Sequence, residues 1–230
     1  MKKLSIIIPC YNEAATITEV LARVAGAETC GLEKEIIVVN DGSTDETGPL
    51  LEGLRGDGVK VIHHERNRGK GAAIKTALEQ VTGDIVLIQD ADLEYDPDEY
   101  PSLLHPILTD HVEVVYGSRM LRKGTKQGAL PFLVGGMLLS LLANLLYKAG
   151  ITDEPTGYKV FKASLLKSID LKCTGFEFCP EVTAKVRKRG YEIKEVPISY
   201  NPRSVSEGKK ISWRDFIVHV FILLKYRFFE

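Results

Sequence analysis

The first 120 residues alternate between short β-rich runs and segments with helical spacing, which constrains the fold more than any other feature of the chain. The predicted strands are 5–8, 35–39, 59–63, 84–89 and 112–116, and the predicted helices are 14–24, 44–54, 69–81 and 97–108. Strand–helix–strand repetition requires crossover connections, so it predicts a mostly parallel sheet with helices on both faces. Ser43 or Thr44 is expected to cap the second helix. The sequence therefore predicts a doubly wound α/β fold.

The composition is that of a folded protein and argues against nucleic-acid binding. The chain has 230 residues, of which 44% are hydrophobic and 27% charged, and its formal net charge is −1. A nucleic-acid surface would need an excess of Lys and Arg. The four cysteines form no CxxC pair, which favours reduced thiols in a cytoplasmic protein. The apolar run near the N-terminus breaks at Pro9, too early for a secretion signal.

An uncharged stretch at residues 130–147, LPFLVGGMLLSLLANLLY, allows three interpretations. Its length lies at the lower limit for a membrane-spanning helix. A proline near its start and a Gly-Gly pair inside it favour a buried core helix first, a helix on the membrane surface second and a span last. The 213–229 stretch is similarly apolar, with Lys225 and Arg227 near its end, and predicts a C-terminal amphipathic helix.

Polar segments follow three of the predicted strands at the point where each strand ends. They are Pro9-Cys10-Tyr11-Asn12-Glu13, Asn40-Asp41-Gly42-Ser43 and Gln89-Asp90-Ala91-Asp92. Because the carboxyl ends of parallel strands lie at one edge of the sheet, where α/β folds bind ligands, we expect a site there. Taken alone, the second segment is also explained as a tight turn, and Glu13 as a charge near a helix N-terminus.

The Asp90-Ala91-Asp92 triplet points to a metal ion. Two carboxylates so close together repel one another unless a cation neutralises them. Oxygen ligands favour Mg²⁺ or Mn²⁺, which commonly bridge protein carboxylates to phosphates. Glu94 is the candidate third ligand. The alternative is an exposed acidic turn.

A basic, glycine-rich segment, Asn67-Arg68-Gly69-Lys70-Gly71, opens the third predicted helix. A helix N-terminus in that setting predicts an anion site, and the alternative is a turn with solvated charges. The first strand is not followed by a GxGxxG fingerprint, and the sequence contains no GxxxxGK[ST] loop. No Ser/His/Asp or Cys/His pattern indicates a hydrolase.

Taken in order and spacing, IIIPCYNE, VVNDGSTD, NRGKGAA, QDADLEYDP and YGSR resemble the family 2 inverting nucleotide-sugar glycosyltransferases, which have the GT-A fold. In the second half, EPTGYKVF, GFEF, RGYEIKEVPISYNPR and EGKKISWRD are similar to the polyprenyl-phosphate glycosyltransferases, a group that includes dolichol-phosphate mannosyltransferase. The resemblance covers essentially the whole chain. It implies one catalytic domain over 1–230, with 1–120 binding a GDP- or UDP-sugar and 121–230 binding the acceptor.

The resemblance also implies roles for individual residues. Its implied donor contacts are Pro9, Tyr11, Glu13, Val39, Asp41, Lys70, Gln89, Asp90 and Ala91, with Asp41 at the base or ribose. Asp90 and Asp92 would hold the metal, with Glu94 standing where close relatives often have Gln. Arg119, Arg203 and Lys209 would face the phosphates of donor or acceptor.

The implied acceptor is a polyprenyl phosphate at the inner face of the cell membrane. A phosphate acceptor is already an anion and needs no strong base, whereas a hydroxyl acceptor does, with Glu177 and Glu181 as candidates. The chain departs from many polyprenyl-phosphate enzymes because it lacks their pair of transmembrane helices. The alternatives are a soluble glycan or protein acceptor, or a nucleotide-sugar-binding protein without turnover.

Overall fold

The computed structural model describes residues 2–56, 58–126, 128–203, 210 and 212–229. These residues form a seven-stranded sheet with helices on both faces. The strands are β1 Lys3–Cys10, β2 Glu33–Asn40, β3 Val59–His63, β4 Ile85–Ile88, β5 Val114–Ser118, β6 Lys159–Lys162 and β7 Lys194–Pro197. The helices are α1 Ile17–Gly26, α2 Thr47–Gly53, α3 Lys70–Leu78, α4 Tyr100–Thr109, α5 Leu130–Tyr147, α6 Ala163–Ser168, α7 Phe178–Lys188 and α8 Trp213–Phe228, with a 3₁₀ turn at Pro97–Glu99.

The strand order is β3-β2-β1-β4-β6-β5-β7. Strands β1 to β4 are parallel to one another, β5 is parallel to β7, and β6 is antiparallel to both β4 and β5. The predicted mostly parallel sheet is therefore confirmed. The sequence prediction omitted β6 and β7, and β6 inserts a strand from the second half of the chain between two strands of the first half.

The sheet separates two apolar cores. Successive side chains of a strand point to opposite faces, so Ile6 and Ile8 pack in the core beneath α1 and α4, while Ile7 packs in the core beneath α3 and α7. All four residues of β4 are buried, as expected for a central strand covered on both faces. The central strands form the rigid base that supports the loops at their carboxyl ends.

The predicted cap of the second helix is wrong. Helix α2 begins at Thr47, whose backbone N–H donates to Asp45 Oδ1 at 3.0 Å. Ser43 Oγ instead accepts from the backbone N–H of Asn12 at 2.9 Å, and the N–H of Thr44 donates to Asn12 Oδ1 at 2.8 Å. Ser43 and Thr44 therefore tie together the loops that follow β1 and β2.

Helix α5 is not the buried core helix that was the first interpretation of its sequence. It is long and apolar enough to cross a membrane, with a mean hydropathy of 1.8, yet only 22% of it is buried. Its exposed apolar side chains are 45–77% accessible, and those of α8 are 37–67% accessible. The two helices pack against each other. They share an exposed apolar face, which we call the α5–α8 face: Leu130, Val134, Met137, Leu138, Leu141, Leu145, Trp213, Ile217, Val218, Phe221, Leu224 and Phe228.

Candidate active site at the carboxyl edge of the sheet

The loops after β1, β2 and β4 meet at one edge of the sheet, as the strand pattern predicts. Asn12 is bonded to the loop after β2, and the backbone N–H of Glu13 donates to Thr47 Oγ1 at 2.9 Å. Thr16 Oγ1 donates to the carbonyl of Ala91 at 2.7 Å, which joins the loop after β1 to the acidic loop after β4. The three segments singled out in the sequence thus form one continuous surface.

Each carboxylate of the Asp90/Asp92 pair faces a cation. Asp90 pairs with Lys70 at the start of α3. Asp92 Oδ2 accepts from Arg203 Nη2 at 2.9 Å, although Arg203 lies 111 residues away in sequence. Gly157 closes this space from below, since a Cβ there would lie 2.2 Å from Asp90 Oδ2. The two carboxylates are therefore closely packed and paired with cations, unlike the side chains of an exposed acidic turn.

The electrostatics of the pair suit a divalent cation. Burial raises the pKa of Asp92 to about 7, and the charges of Asp90 and Glu94 act in the same direction. The Arg203 guanidinium opposes this rise only in part. Excess negative charge on hard oxygen ligands is the chemistry that Mg²⁺ or Mn²⁺ neutralises, so the residues fit such an ion.

Glu94, the predicted third ligand, is bonded to other residues in the structure, and its role as a ligand stays a prediction. Glu94 Oε2 accepts from the Tyr200 hydroxyl at 2.8 Å, and its Oε1 accepts from the backbone N–H of Arg203 at 2.8 Å. Among the described residues no group of three His, Cys, Asp or Glu side chains is placed to hold a metal ion. Glu94 instead holds the segment that carries Arg203.

Glu13 is buried and bound by two cations from the second half of the chain. Arg203 donates to it from Nη1 at 2.9 Å and from Nη2 at 3.1 Å, and Lys210 Nζ lies 2.6 Å from Glu13 Oε1. Lys210 also donates to the carbonyl of Tyr11. Glu13 therefore anchors Arg203, where a direct nucleoside contact was expected. The sequence prediction named Lys209, which lies outside the described residues, and missed Lys210.

The carboxylate of Asp41 is also occupied. Its Oδ1 lies 2.6 Å from His64 Nδ1 and accepts from the N–H of Arg68 at 2.9 Å, while its Oδ2 accepts from the N–H of Gly69 at 2.7 Å. The sequence prediction placed Asp41 at the base or ribose and missed His64. A buried histidine at the end of the neighbouring strand carries no recognisable local signal.

The N-terminus of α3 is not an anion site, contrary to the sequence prediction. The first free amides of a helix would have to point at the anion. Here the N–H groups of Gly71 and Ala72 donate to the carbonyls of Gly175 and Thr174, at 3.1 and 2.9 Å. The ammonium group of Lys70, which pairs with Asp90, is a candidate phosphate contact from this segment.

The remaining predicted donor contacts form the floor of the site. Val39 and Ala91 are buried, and Pro9 is half-buried. Gln89 is fully buried, and its Oε1 accepts from the hydroxyls of Tyr100 and Tyr158, both at 2.8 Å. The Gln89 side chain therefore supports Asp90 from the core, where its Nε2 donates to the Asp90 carbonyl at 2.9 Å. Tyr11 is half-buried.

Arg119 lies in a cavity beside α5. Its Nε and Nη2 donate to the two oxygens of Asp153, at 2.7 and 2.6 Å, and its guanidinium stacks 4.8 Å from the ring centre of Tyr200. The cavity is lined by Arg119, Met120, Gly128, Phe132, Leu133, Gly136, Met137, Thr152, Asp153 and Tyr200. An oriented guanidinium thus shares a cavity with apolar side chains of a largely exposed helix.

Both candidates for a general base have structural partners. Burial alone would raise the pKa of Glu181, but the N–H of Lys172 at 2.7 Å, the ammonium of Lys185 and the hydroxyl of Tyr226 lower it. Glu177 accepts from the backbone N–H groups of Thr174 and Gly175, and these bonds lower its pKa despite burial. A carboxylate with a lowered pKa is a poor proton acceptor.

The sequence profile of Glycosyl transferase family 2 matches residues 5–169. The chain belongs to this family. Its relatives include the low-salt glycan biosynthesis hexosyltransferase Agl6 of Haloferax volcanii, 34% identical over 96% of this chain and 53% of that protein. They also include the UDP-N-acetylglucosamine–dolichyl-phosphate N-acetylglucosaminyltransferase of Methanococcus voltae, 31% identical over 97% of this chain and 96% of that protein. The chain thus spans about half the length of the Agl6 relative.

Solved structures of the same architecture confirm the GT-A fold. Glucosyl-3-phosphoglycerate synthase from Mycobacterium tuberculosis, solved with Mn²⁺ and UDP-glucose, superimposes with a TM-score of 0.77. The likeness covers 98% of this chain and 79% of that one, at 24% identity. Such a likeness establishes the fold, while substrates must be argued from the residues of this family member.

Proposed function

We propose that this chain transfers a sugar from a nucleoside diphosphate sugar, with GDP or UDP as the nucleotide, to the phosphate of a polyprenyl phosphate at the cytoplasmic surface of a membrane. The observation that carries the proposal is the cavity that Arg119 shares with α5. Its guanidinium suits a phosphate head, and Phe132, Leu133 and Met137 suit the chain attached to it. A water-soluble acceptor would not need the apolar contacts that these three side chains offer.

The donor side of the proposal rests on Asp90 and Asp92. These carboxylates would hold a Mg²⁺ or Mn²⁺, whose charge supplies electrostatic stabilisation of the departing diphosphate. Lys70, beside Asp90, adds a positive charge next to the diphosphate. Tyr11 and the 40–43 loop, which follow β1 and β2 at the same edge of the sheet, would contact the nucleoside.

The transfer requires one bond to form as another breaks. An oxygen of the acceptor phosphate attacks C1 of the sugar on the face opposite the diphosphate, and the bond from C1 to the diphosphate oxygen breaks. The products are a sugar–phosphate diester with inverted configuration and a free nucleoside diphosphate. Arg119 and Arg203 orient the acceptor phosphate and reduce its repulsion from the donor.

The state of Glu177 and Glu181 favours a phosphate acceptor over a hydroxyl acceptor. A hydroxyl must lose its proton during attack, whereas a phosphate is already ionised near neutral pH. Both carboxylates that were candidates for this base are bonded to backbone or side-chain donors and have lowered pKa values. A phosphate acceptor removes the need for either.

The α5–α8 face fits a helix pair lying on a membrane rather than crossing it. Arg119 precedes α5 and Asp153 follows it, yet the two form an ion pair at 2.6 Å. If α5 crossed the bilayer, the chain flanking it would have to return through lipid as irregular backbone, which is highly unfavourable. Exposed aromatic residues beside Arg214, Lys225 and Arg227 suit the boundary between lipid and water.

The name of the Methanococcus voltae relative supports the same acceptor class, since that protein uses a dolichyl phosphate. The test is transfer of radiolabelled sugar from a panel of UDP- and GDP-sugars, with Mn²⁺ or Mg²⁺, into organic-extractable product. A polyprenyl phosphate should accept the sugar, and the polyprenol without its phosphate should not. Transfer to a water-soluble acceptor only, or none with any donor, would contradict the proposal.

A further inference from the structure

Asp41 holds a loop in place through its hydrogen bonds. It is 3% exposed, and its carboxylate accepts from His64 and from the backbone N–H groups of Arg68 and Gly69. A carboxylate has about four acceptor positions, so these contacts use most of its capacity. What Asp41 controls is therefore the segment from Arg66 to Gly69.

His64 fixes the carboxylate of Asp41 from the other side. It directly follows β3, and its side chain lies almost wholly out of solvent. Its Nδ1 lies 2.6 Å from Asp41 Oδ1, and its Nε2 lies 2.9 Å from Thr76 Oγ1 on α3. In the neutral ring, Nδ1–H donates to the carboxylate and Nε2 accepts from the threonine hydroxyl. One imidazole thus links β2, β3 and α3.

The loop held by this pair is tightly confined. Gly69 has a φ of +94°, and a Cβ there would lie 2.4 Å from the carbonyl oxygen of Thr174. On its other side, a Cβ at Gly42 would lie 2.3 Å from the backbone of Arg66. The next residue, Lys70, pairs with Asp90. A shift of this loop would therefore move the Lys70 ammonium relative to the acidic pair.

We propose that His64 is a positioning residue for nucleoside diphosphate binding. It orients Asp41, Asp41 holds the Arg68 and Gly69 amides, and this contact sets the place of Lys70 beside the diphosphate. The inference rests on the proposed function, because it takes the Asp90 side of the site to be where the diphosphate lies. His64 itself touches no substrate.

The test compares His64→Phe with His64→Asn. Phenylalanine keeps an aromatic ring but donates nothing to Asp41, whereas the asparagine amide can replace the Nδ1–H donor. The dissociation constants of UDP and of GDP, each with Mn²⁺, are measured by calorimetry beside the urea midpoint of unfolding. For the nucleotide that the parent binds, we expect about tenfold weaker binding in His64→Phe and binding within about threefold of the parent in His64→Asn.

A purely structural His64 would lower the urea midpoint without this difference in affinity. Equal affinities in the parent and in folded His64→Phe would therefore overturn the inference, as would equal loss in both variants. Should His64→Phe fail to fold, Thr76→Val removes only the hydroxyl partner of Nε2 and should weaken binding about threefold, and unchanged affinity there overturns the inference. A parent that binds neither UDP nor GDP contradicts the donor class itself, and the inference with it. If the parent binds UDP or GDP and the variants bind it equally well, the inference about His64 fails but the proposed donor class does not.

Discussion

Arg203 Nη2 donates to Asp92 Oδ2 at 2.9 Å, which joins the second half of the chain to the carboxylate pair of the first half. The same guanidinium also binds both carboxylate oxygens of Glu13. Arg203 and the cation that we propose for Asp92 therefore share one carboxylate. This side chain therefore links the loop after β1, the acidic loop after β4 and the segment that carries Arg203.

Asp92→Asn should lower sugar transfer about a hundredfold or more, because it removes one of the two proposed metal ligands. The fold should persist, since burial and like charges already raise the pKa of the carboxyl group and an amide relieves that strain. The measurements are initial rates across a Mn²⁺ titration and the thermal midpoint. Near-normal rates in the folded variant would remove Asp92 from the metal site.

Arg203→Ala should raise the KM for polyprenyl phosphate about tenfold or more, because a charge-assisted contact with the acceptor is lost. Mn²⁺ binding without acceptor should not weaken, since Arg203 competes with the ion for Asp92. Steady-state kinetics and calorimetry check the two effects. Arg122→Ala is the control, because exposed Arg122 pairs with Glu99 and not with Asp92. An unchanged acceptor KM in Arg203→Ala would refute this role.

Leu141→Glu on α5 should abolish binding to vesicles while leaving the free energy of unfolding within about 0.5 kcal/mol of the parent, because this side chain is 64% exposed. A charge at the lipid boundary opposes insertion of the α5–α8 face. Sedimentation with anionic lipid vesicles measures the effect. Leu50→Glu is the matched control, since Leu50 is an exposed leucine on α2. Equal vesicle binding by both variants would count against a membrane role for α5.

Glu154→Gln should make the protein more stable than the parent at pH 8 and equally stable at pH 4. Burial raises the pKa of Glu154 from its ordinary 4.5 to about 7, and the nearby Lys159 opposes the rise only in part. The folded chain therefore holds this proton more tightly than the unfolded chain, so parent stability falls as pH rises from about 4.5 to about 7. The loss at pH 8 is up to about 3 kcal/mol.

Urea unfolding at a series of pH values measures this difference. The control is Glu79→Gln, since Glu79 is exposed. Its stability should depend on pH in the same way as that of the parent. Parallel curves for the parent and Glu154→Gln would show that folding does not raise the pKa of Glu154.

The parallel half of the fold was predictable because its signals are local. Apolar runs such as Ile6–Ile8 and Ile85–Ile88 mark buried central strands, and their carboxyl ends located the acidic pair. Strands β6 and β7 were missed because KVFK and KEVP have only four residues each, and two of the four are charged in both. Such short sequences become strands only through tertiary pairing.

Residues of the site were predictable where their role depends on one loop, and not where it depends on a distant partner. Asp90 and Asp92 lie in one segment, whereas the pairing of Asp92 with Arg203 joins positions 111 residues apart. The hydrogen bonds of Glu94 with Tyr200 and of Asp41 with His64 likewise form only when separate elements pack together. Helix α5 was misjudged because its composition is that of a buried helix, and only the fold shows which side remains uncovered.

The most direct test of sugar transfer to a lipid phosphate is NMR of the purified product, with phosphorus and proton spectra recorded on the same sample. We predict a single phosphodiester joining C1 of the sugar to the polyprenyl phosphate, with the anomeric configuration opposite to that in the donor. A product with retained configuration, a sugar linked elsewhere than to phosphate, or only free sugar and nucleoside diphosphate would contradict the account.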